Sequence, residues 1–303
     1  MFLDYLRSRR KPSSSGTPLA PEQIVEPTDA RPITVRRPPG SVAWTASSRS
    51  LWEHRDLFWA LTRHRVRVRY KQSLLGLAWA VLQPLALMLI FTLAFGRIAR
   101  MPSEGIPYPL FVYSGLLTWS FLSTGLSNAT NAVVSHAQLI TKVYFPREIL
   151  PLTYVAAGLF DLCIGFLVLG GLLAYFDHTL TWSAIFAVPV LLLLTALVTG
   201  AGFLLAAAQV HFRDVGIAVP LLIYLWLFST PIGYPLSSVP EQYRFWFLLN
   251  PMTGIVEGFR NAILRGAMPD VQLLLVPAAV AAVLLPVAYG LFKRVESTMA
   301  DVV

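Results

Sequence analysis

From Gln72 to Gly96 no side chain carries a charge. The same silence returns over 105–141, 178–212, 215–240 and 271–292, and over 149–176 with Asp161 as its one interruption. A helix that crosses a bilayer needs about 20 mainly apolar residues, so the spacing leaves room for six. With 13% of residues charged, against about a quarter in an ordinary soluble domain, the chain reads as an all-α integral membrane protein with six transmembrane helices. Trimmed of loop residues, the spans are expected near 74–97, 109–134, 149–175, 183–208, 216–235 and 271–292.

An even number of spans puts both termini on one side. Of the 24 Lys and Arg, 14 precede residue 72, and Lys142, Arg147, Arg213, Lys293 and Arg294 fall in loops or the tail on the same side. Positive residues near span ends stay cytoplasmic, so both termini are expected there. The net charge of +8 then faces lipid headgroups. A nucleic-acid partner is not expected, because such a protein gathers its basic residues on a folded soluble face. Cys163 is the only cysteine and lies in the third span, which excludes a disulfide framework. The first 40 residues hold no apolar core of leader-peptide length, so no cleaved leader is expected and the first span should act as the insertion signal.

Three segments lie outside the spans. Residues 11–40 contain seven prolines, the composition of a disordered tail, and 1–50 is assigned as such. Over 51–72, Trp52, Trp59, Val66 and Tyr70 recur at sevens and fours while Asp56, Arg63, Arg67 and Lys71 lie opposite, which predicts an amphipathic helix in the interface plane. Arg55, Arg65 and Arg69 fall inside its apolar arc and are expected to snorkel. A period-two strand over Arg65–Tyr70 is disfavoured, since a lone strand beside a bilayer has no partner. Between spans five and six, 236–270 carries two apolar stretches too short to cross, broken at Asn250–Pro251. An extracytoplasmic re-entrant helical hairpin is favoured there over a loop resting on the surface. The transmembrane domain as a whole covers 73–295.

The chain has no GxxxxGK[ST] phosphate loop, so it cannot hydrolyse ATP in that way. None of its five histidines pairs at helical spacing with another His or Cys, so no metal site is expected. In the second span Tyr113, Ser120, Ser123, Thr124, Ser127, Asn128 and Asn131 share one face, extended by Ser135. That face suits a wet pathway for a polyhydroxylated substrate, or equally the hydroxyl-rich packing of helices in lipid. Trp119 and Trp226 sit near mid-span, away from the usual interfacial belt, where indole faces fit sugar rings or simply pack a core; Tyr224 is grouped with them. Asp161 is read as a neutral or a hydrogen-bonded structural Asp, because no second acid or His accompanies it for a proton relay. Glu257 and Arg260, at i, i+3, can pair with each other or face substrate at the hairpin mouth.

Four blocks, "RYKQSLLGLAWAVLQP" (69–84), "LITKVYFPREILPL" (139–152), "HFRDV" (211–215) and "PIGYPLSSVPEQYRFWFLLNPMTGIVEGFR" (231–260), resemble the membrane subunit of bacterial type 2 ATP-binding-cassette polysaccharide exporters. The resemblance covers about 51–293. It implies a homodimer in the inner membrane, moving a lipid-linked glycan and clasping two separate ATPase subunits that carry ATP and Mg, with no cofactor on this chain and no enzyme activity of its own. It further implies that Trp52, Trp59, Arg63, Arg67 and Arg69 of the surface helix, and Lys142, Tyr144, Phe145, Arg147 and Glu148 of the 136–148 loop, contact the ATPases. A permease for a drug or lipid is the alternative; an acyl- or glycosyltransferase would need an acid or His cluster at one membrane face.

Overall fold

The computed structural model describes residues 52–71, 76, 78–142, 145–296 and 298–299. The expected tail 1–50, residues 72–75 of the joint after the surface helix, Tyr144 and the Lys142 side chain lie outside the described residues. Among those described, every regular element is helical: α1 (Arg55–Lys71), α2 (Ala78–Phe91), α3 (Tyr108–Thr130), α4 (Ala137–Lys142), α5 (Ile149–Tyr175), α6 (Ala187–His211), α7 (Val215–Phe228), α8 (Glu241–Leu249), α9 (Pro251–Ile263) and α10 (Val271–Glu296). A π-helical run, Thr92–Ile98, extends α2, and a 3-10 turn, Trp182–Phe186, leads into α6.

Four helical stretches are long and apolar enough to cross a membrane: Ala78–Ile98, Ile149–Tyr175, Trp182–His211 and Val271–Glu296. The polar residues of α3 dilute its hydropathy, although its 23 residues reach about 35 Å at 1.5 Å per residue. The segment expected over 216–235 is shorter: α7 has 14 residues and stops at Phe228. Its end is local chemistry. Ser229 and Thr230 hydroxyls donate back to the Leu225 and Trp226 carbonyls, and Pro231 cannot continue the hydrogen-bond ladder.

The most polar of the long helices is the central one. α3 packs against α2, α5, α6, α7 and α9, and its apolar side from Leu110 to Leu126 forms the heart of the larger core. Close approach depends on small side chains, as expected for helices in lipid. A Cβ on Gly202 of α6 would lie 2.9 Å from Ala129 Cβ of α3, and one on Gly200 would lie 3.0 Å from the Leu285 backbone of α10. A second core, built on Phe203, Tyr289, Phe292, Phe145 and Leu150, ties the loop before α5 to the end of α10.

α8 and α9 divide sharply. No residue of α8 is buried, whereas Met252–Arg260 are buried without a break among α3, α6 and α10. Asn250 makes the corner. Its Oδ1 accepts from the Met252 amide at 3.0 Å, capping α9, with Pro251 at the first helical position where no N–H is needed.

Candidate functional site

Past its first turns, α3 is buried everywhere except at Ser120, Ser123, Thr124, Ser127 and Asn128, and half-buried Asn131 continues the line beyond its end. The buried hydroxyls of the same helix bond back to their own backbone: Ser114 to Phe111, Thr118 to Gly115 and Thr130 to Leu126. The hydroxyls of Ser120, Ser123, Thr124 and Ser127 make no bond to another helix among the described residues, so within one chain this face does not cement packing. Asn131 donates to the Ser127 carbonyl at 3.1 Å. Tyr113, predicted on the same stripe, is enclosed instead, and its hydroxyl donates to the Gly165 carbonyl of α5 at 3.1 Å.

At one end of the stripe stands an aromatic cluster. Trp119 of α3 meets Trp226 of α7 edge to face, with centroids 5.8 Å apart. The Trp226 indole N–H donates to Asn250 Oδ1 at 2.9 Å, and Asn250 Nδ2 donates to the Ser229 carbonyl and the Thr230 hydroxyl, each at 3.0 Å. One amide therefore fixes the end of α7, the start of α9 and the indole between them. Trp226, Phe228, Trp246 and Phe247 line an open cleft of about 530 Å3 here, and Tyr224 projects outward with 66% exposure.

Glu257 and Arg260 do pair, at 2.9 Å, but they sit inside the protein rather than on a substrate-facing surface. Arg260 is 0% exposed. Its guanidinium lies 3.7 Å over the Phe111 ring and donates to the carbonyls of Pro231 (2.7 Å), Ile232 (2.6 Å) and Phe111 (3.2 Å). The first two bonds satisfy carbonyls that follow the early end of α7, and the third reaches into α3. Arg265 joins Glu257 (2.8 Å) and Glu104 (2.6 Å). Partial burial alone would raise the Glu104 pKa, but the Ser237 hydroxyl and Arg265 outweigh it and hold the carboxyl below its usual value.

At the other end of α3 the surface helix docks on α5. Arg65 and Arg69, expected to snorkel into lipid-headgroup water, turn the opposite way. Arg65 Nε donates to Thr153 Oγ1 at 2.7 Å, and its guanidinium lies 3.4 Å over the Tyr154 ring. Arg69 and Tyr70 both donate to the Asp161 carboxylate. The helical wheel placed these arginines on the apolar arc because the arc faces protein, and α5 supplies the acceptors. Asp161 is accordingly hydrogen-bonded, one of the two forms expected of it. Burial, then the Asp161 carboxylate, raises the Tyr70 pKa. Trp52, Trp59, Arg63 and Arg67 stay exposed.

The loop before α5 differs from the exposed docking surface expected. Phe145 is buried in the second core, and Glu148, at 0% exposure, pairs with Lys293 of α10; half-buried Arg147 binds Glu296 through both backbone N–H and guanidinium. The paired charges at 147–148 anchor the loop to the end of α10. Sequence reasoning missed Lys293 and Glu296 as their partners, having counted Lys293 only among the positive charges on the cytoplasmic side.

The family model for ABC-2 type transporters matches residues 56–264, well over half of the chain. The chain is 32% identical over 259 residues to the O-antigen export system permease protein RfbA of Myxococcus xanthus, an alignment covering 84% of this chain and 97% of that one. It is 27% identical to the protein of the same name from Klebsiella pneumoniae, covering 82% and 95%, and 28% identical to the polysialic acid transport protein KpsM of Escherichia coli, covering 79% and 93%. The match takes in nearly all of α1, the whole of α3 with its polar face, and the buried α9 with its Arg260 clamp. The chain belongs to the ABC-2 type transporter family, as the four sequence blocks implied.

Proposed function

We propose that this chain is the channel-forming subunit of an ATP-driven exporter that moves a lipid-linked polysaccharide from the cytoplasm across the bacterial inner membrane. The observation that carries it is the open polar face of α3: a line of hydroxyls and the Asn128 amide with no bond to another helix among the described residues, ending beside the half-buried Trp226 indole, in a helix otherwise buried on every side. Neutral donors and acceptors exchange hydrogen bonds with sugar hydroxyls without trapping a charge, and indole faces suit the apolar faces of sugar rings. Such a face offers a drug or plain lipid nothing. The names carried by the O-antigen and polysialic acid relatives point the same way.

In this reading α2, α3, α5, α6, α7 and α10 are the six spans, both termini are cytoplasmic, and α8–α9 form a hairpin entering from outside. The burial of α9 in protein is the condition under which a short helix is tolerated at membrane depth. A second copy closes the polar faces into one path, and two separate ATPase subunits carry ATP and Mg. Exposed Trp52, Trp59, Arg63 and Arg67 of α1 offer the ATPases a contact surface. Arg69 and Tyr70 transmit its movement to α5 through Asp161, and the anchored 145–148 loop reports to α10.

The test is to purify the chain with its ATPase partner in nanodiscs and measure hydrolysis. Stimulation by a lipid-linked glycan extract and not by amphiphilic drugs is expected. Stimulation by drugs alone, or failure to form a complex with any ATPase, overturns the reading.

A further inference from the structure

Where α1 docks on α5, the two helices and the end of α3 enclose a cleft of about 420 Å3. A water molecule's share of the liquid is about 30 Å3, so the cleft holds a group much larger than one solvent molecule. Its polar lining is mostly cationic or donating: His64, Arg65 and Arg69 from α1, Asn128 from α3 and His136 just beyond it, against Asp161 of α5.

Two features make this a binding site rather than a finished piece of packing. Arg65 is the first. A guanidinium carries five N–H donors; its Nε is engaged by Thr153, but its Nη2 is buried and has no hydrogen-bond partner among the described residues. Buried donors are almost always satisfied in the working state of a protein; the Tyr154 side chain beneath interacts with the Arg65 guanidinium and still leaves Nη2 without a partner. The second is the charge count. Two guanidiniums, Arg65 and Arg69, line the cleft with the single carboxylate of Asp161, which is already occupied by Arg69 and Tyr70. One positive charge is left over in a cleft where burial pulls the Arg65 pKa down. Burial and then Arg65 also lower the pKa of His136, a local field short of negative charge.

We propose that this cleft binds the phosphate or diphosphate headgroup of a membrane-embedded molecule, with Arg65 Nη2 as the principal donor and Asn128 and His136 flanking it. The geometry fits a headgroup at the interface. Tyr154 and Asp161 lie five and twelve residues into α5, roughly 8 and 18 Å along its axis at 1.5 Å per residue, so the cleft begins near the end of the span and reaches inward. It also opens at Asn128, a member of the polar face of α3. An anchored headgroup here sets its attached chain at the start of that face. The anion site stands on the cleft alone; identifying the headgroup with that of the glycan's lipid carrier rests on the export reading.

The experiment uses the full chain in phosphatidylcholine nanodiscs and measures saturable binding of a headgroup-labelled polyprenyl diphosphate, competed with phosphatidylglycerol or inorganic pyrophosphate. Arg65→Gln is expected to weaken binding about tenfold or more, the scale of one lost charge-assisted bond, with Arg65→Lys intermediate and Arg244→Gln on exposed α8 unchanged. Ala157→Leu, which fills the cleft without altering its charge, is expected to weaken binding similarly, and a melting curve confirms that each variant is folded. Failure of both competitors identifies the carrier lipid as the ligand. Effective phosphatidylglycerol identifies bulk anionic lipid, and effective pyrophosphate a free anion; in all three the anion site stands. Unchanged binding in folded Arg65→Gln and Ala157→Leu proteins, or no saturable binding of any probe, overturns it. Binding is read without the ATPase. Arg65-dependent binding with no glycan-stimulated hydrolysis therefore sinks the export reading alone, and stimulated hydrolysis with Arg65-independent binding sinks this one alone.

Discussion

Two arginine clusters lie about 25 Å apart along α3, at 1.5 Å for each of the 17 residues from Phe111 to Asn128, and they are balanced differently. At the Phe111 end, Arg260 and Arg265 meet Glu257 and Glu104, charge for charge, and Arg260 adds three backbone carbonyls. At the Asn128 end two guanidiniums, Arg65 and Arg69, stand beside one carboxylate, which Arg69 takes; each cluster keeps one buried donor unpaired among the described residues, Arg260 Nε and Arg65 Nη2, but only the second lines a cleft. Equal charges with placed acceptors make a lock. A surplus cation beside an open cleft makes a receptor. The same residue type, buried to satisfy chain ends in one place, is held ready for something outside the chain in the other.

Breaking the lock should have the largest effect. Arg260→Met leaves Glu257 with only Arg265 and strips the carbonyls after α7 of their donors, so a loss of about 3–5 kcal/mol is expected, measured as a collapse of the thermal transition in detergent. Trp226→Ala removes the indole shared by Trp119 and Asn250. It should cost about 3 kcal/mol, the low end for a large aromatic because the site is only half-buried. Asn250→Ala should lose a comparable part of that stability, and the double variant should fall short of the sum. At the other cluster Arg65→Gln should cost about 1–2 kcal/mol, since it gives up one bond to Thr153 and a ring contact; a loss as large as that of Arg260→Met would erase the distinction. Asp161→Asn sharpens it from the other side. The cleft gains a second surplus charge, so headgroup binding should tighten several-fold while α1 loosens from α5, read as faster proteolysis within α1.

The smallest effect concerns pH. Glu104 titrates below its usual value, so its contribution is fully present above about pH 4.5, the ordinary carboxylate value, and fades as pH falls through its lowered pKa. Wild-type melting temperature should therefore drop more steeply below pH 4.5 than that of Glu104→Gln.

The helices were largely legible because charge is costly in hydrocarbon, and a run such as 149–175 leaves little else for a chain to do. The end of α7 was not. Ser229, Thr230 and Pro231 stop the helix inside a charge-free run, and hydropathy does not register a stop that carries no charge. The stripe on α3 followed from the 3.6-residue period, except that Tyr113 reached across to Gly165. The inward turn of Arg65 and Arg69 was out of reach for a different reason. A helical wheel says which face is apolar, not whether lipid or protein lies against it, and the deciding carboxylate is 92 residues away from Arg69. Glu148 misled likewise, since its partner Lys293 stands 145 residues on.

The shortness of α7 has a mechanical consequence. Fourteen residues reach about 21 Å, against a hydrocarbon thickness of about 30 Å. A bilayer meeting so short an apolar segment thins beside it or is replaced by other protein. The exposed aromatic flank of α8, with Tyr243, Phe245 and Trp246, stands next in the chain to occupy the remainder. In the proposed export reading, where α7 is a span, a passenger on this side of the molecule would meet a membrane about a third thinner, and with it a shorter distance over which its hydroxyls go without water.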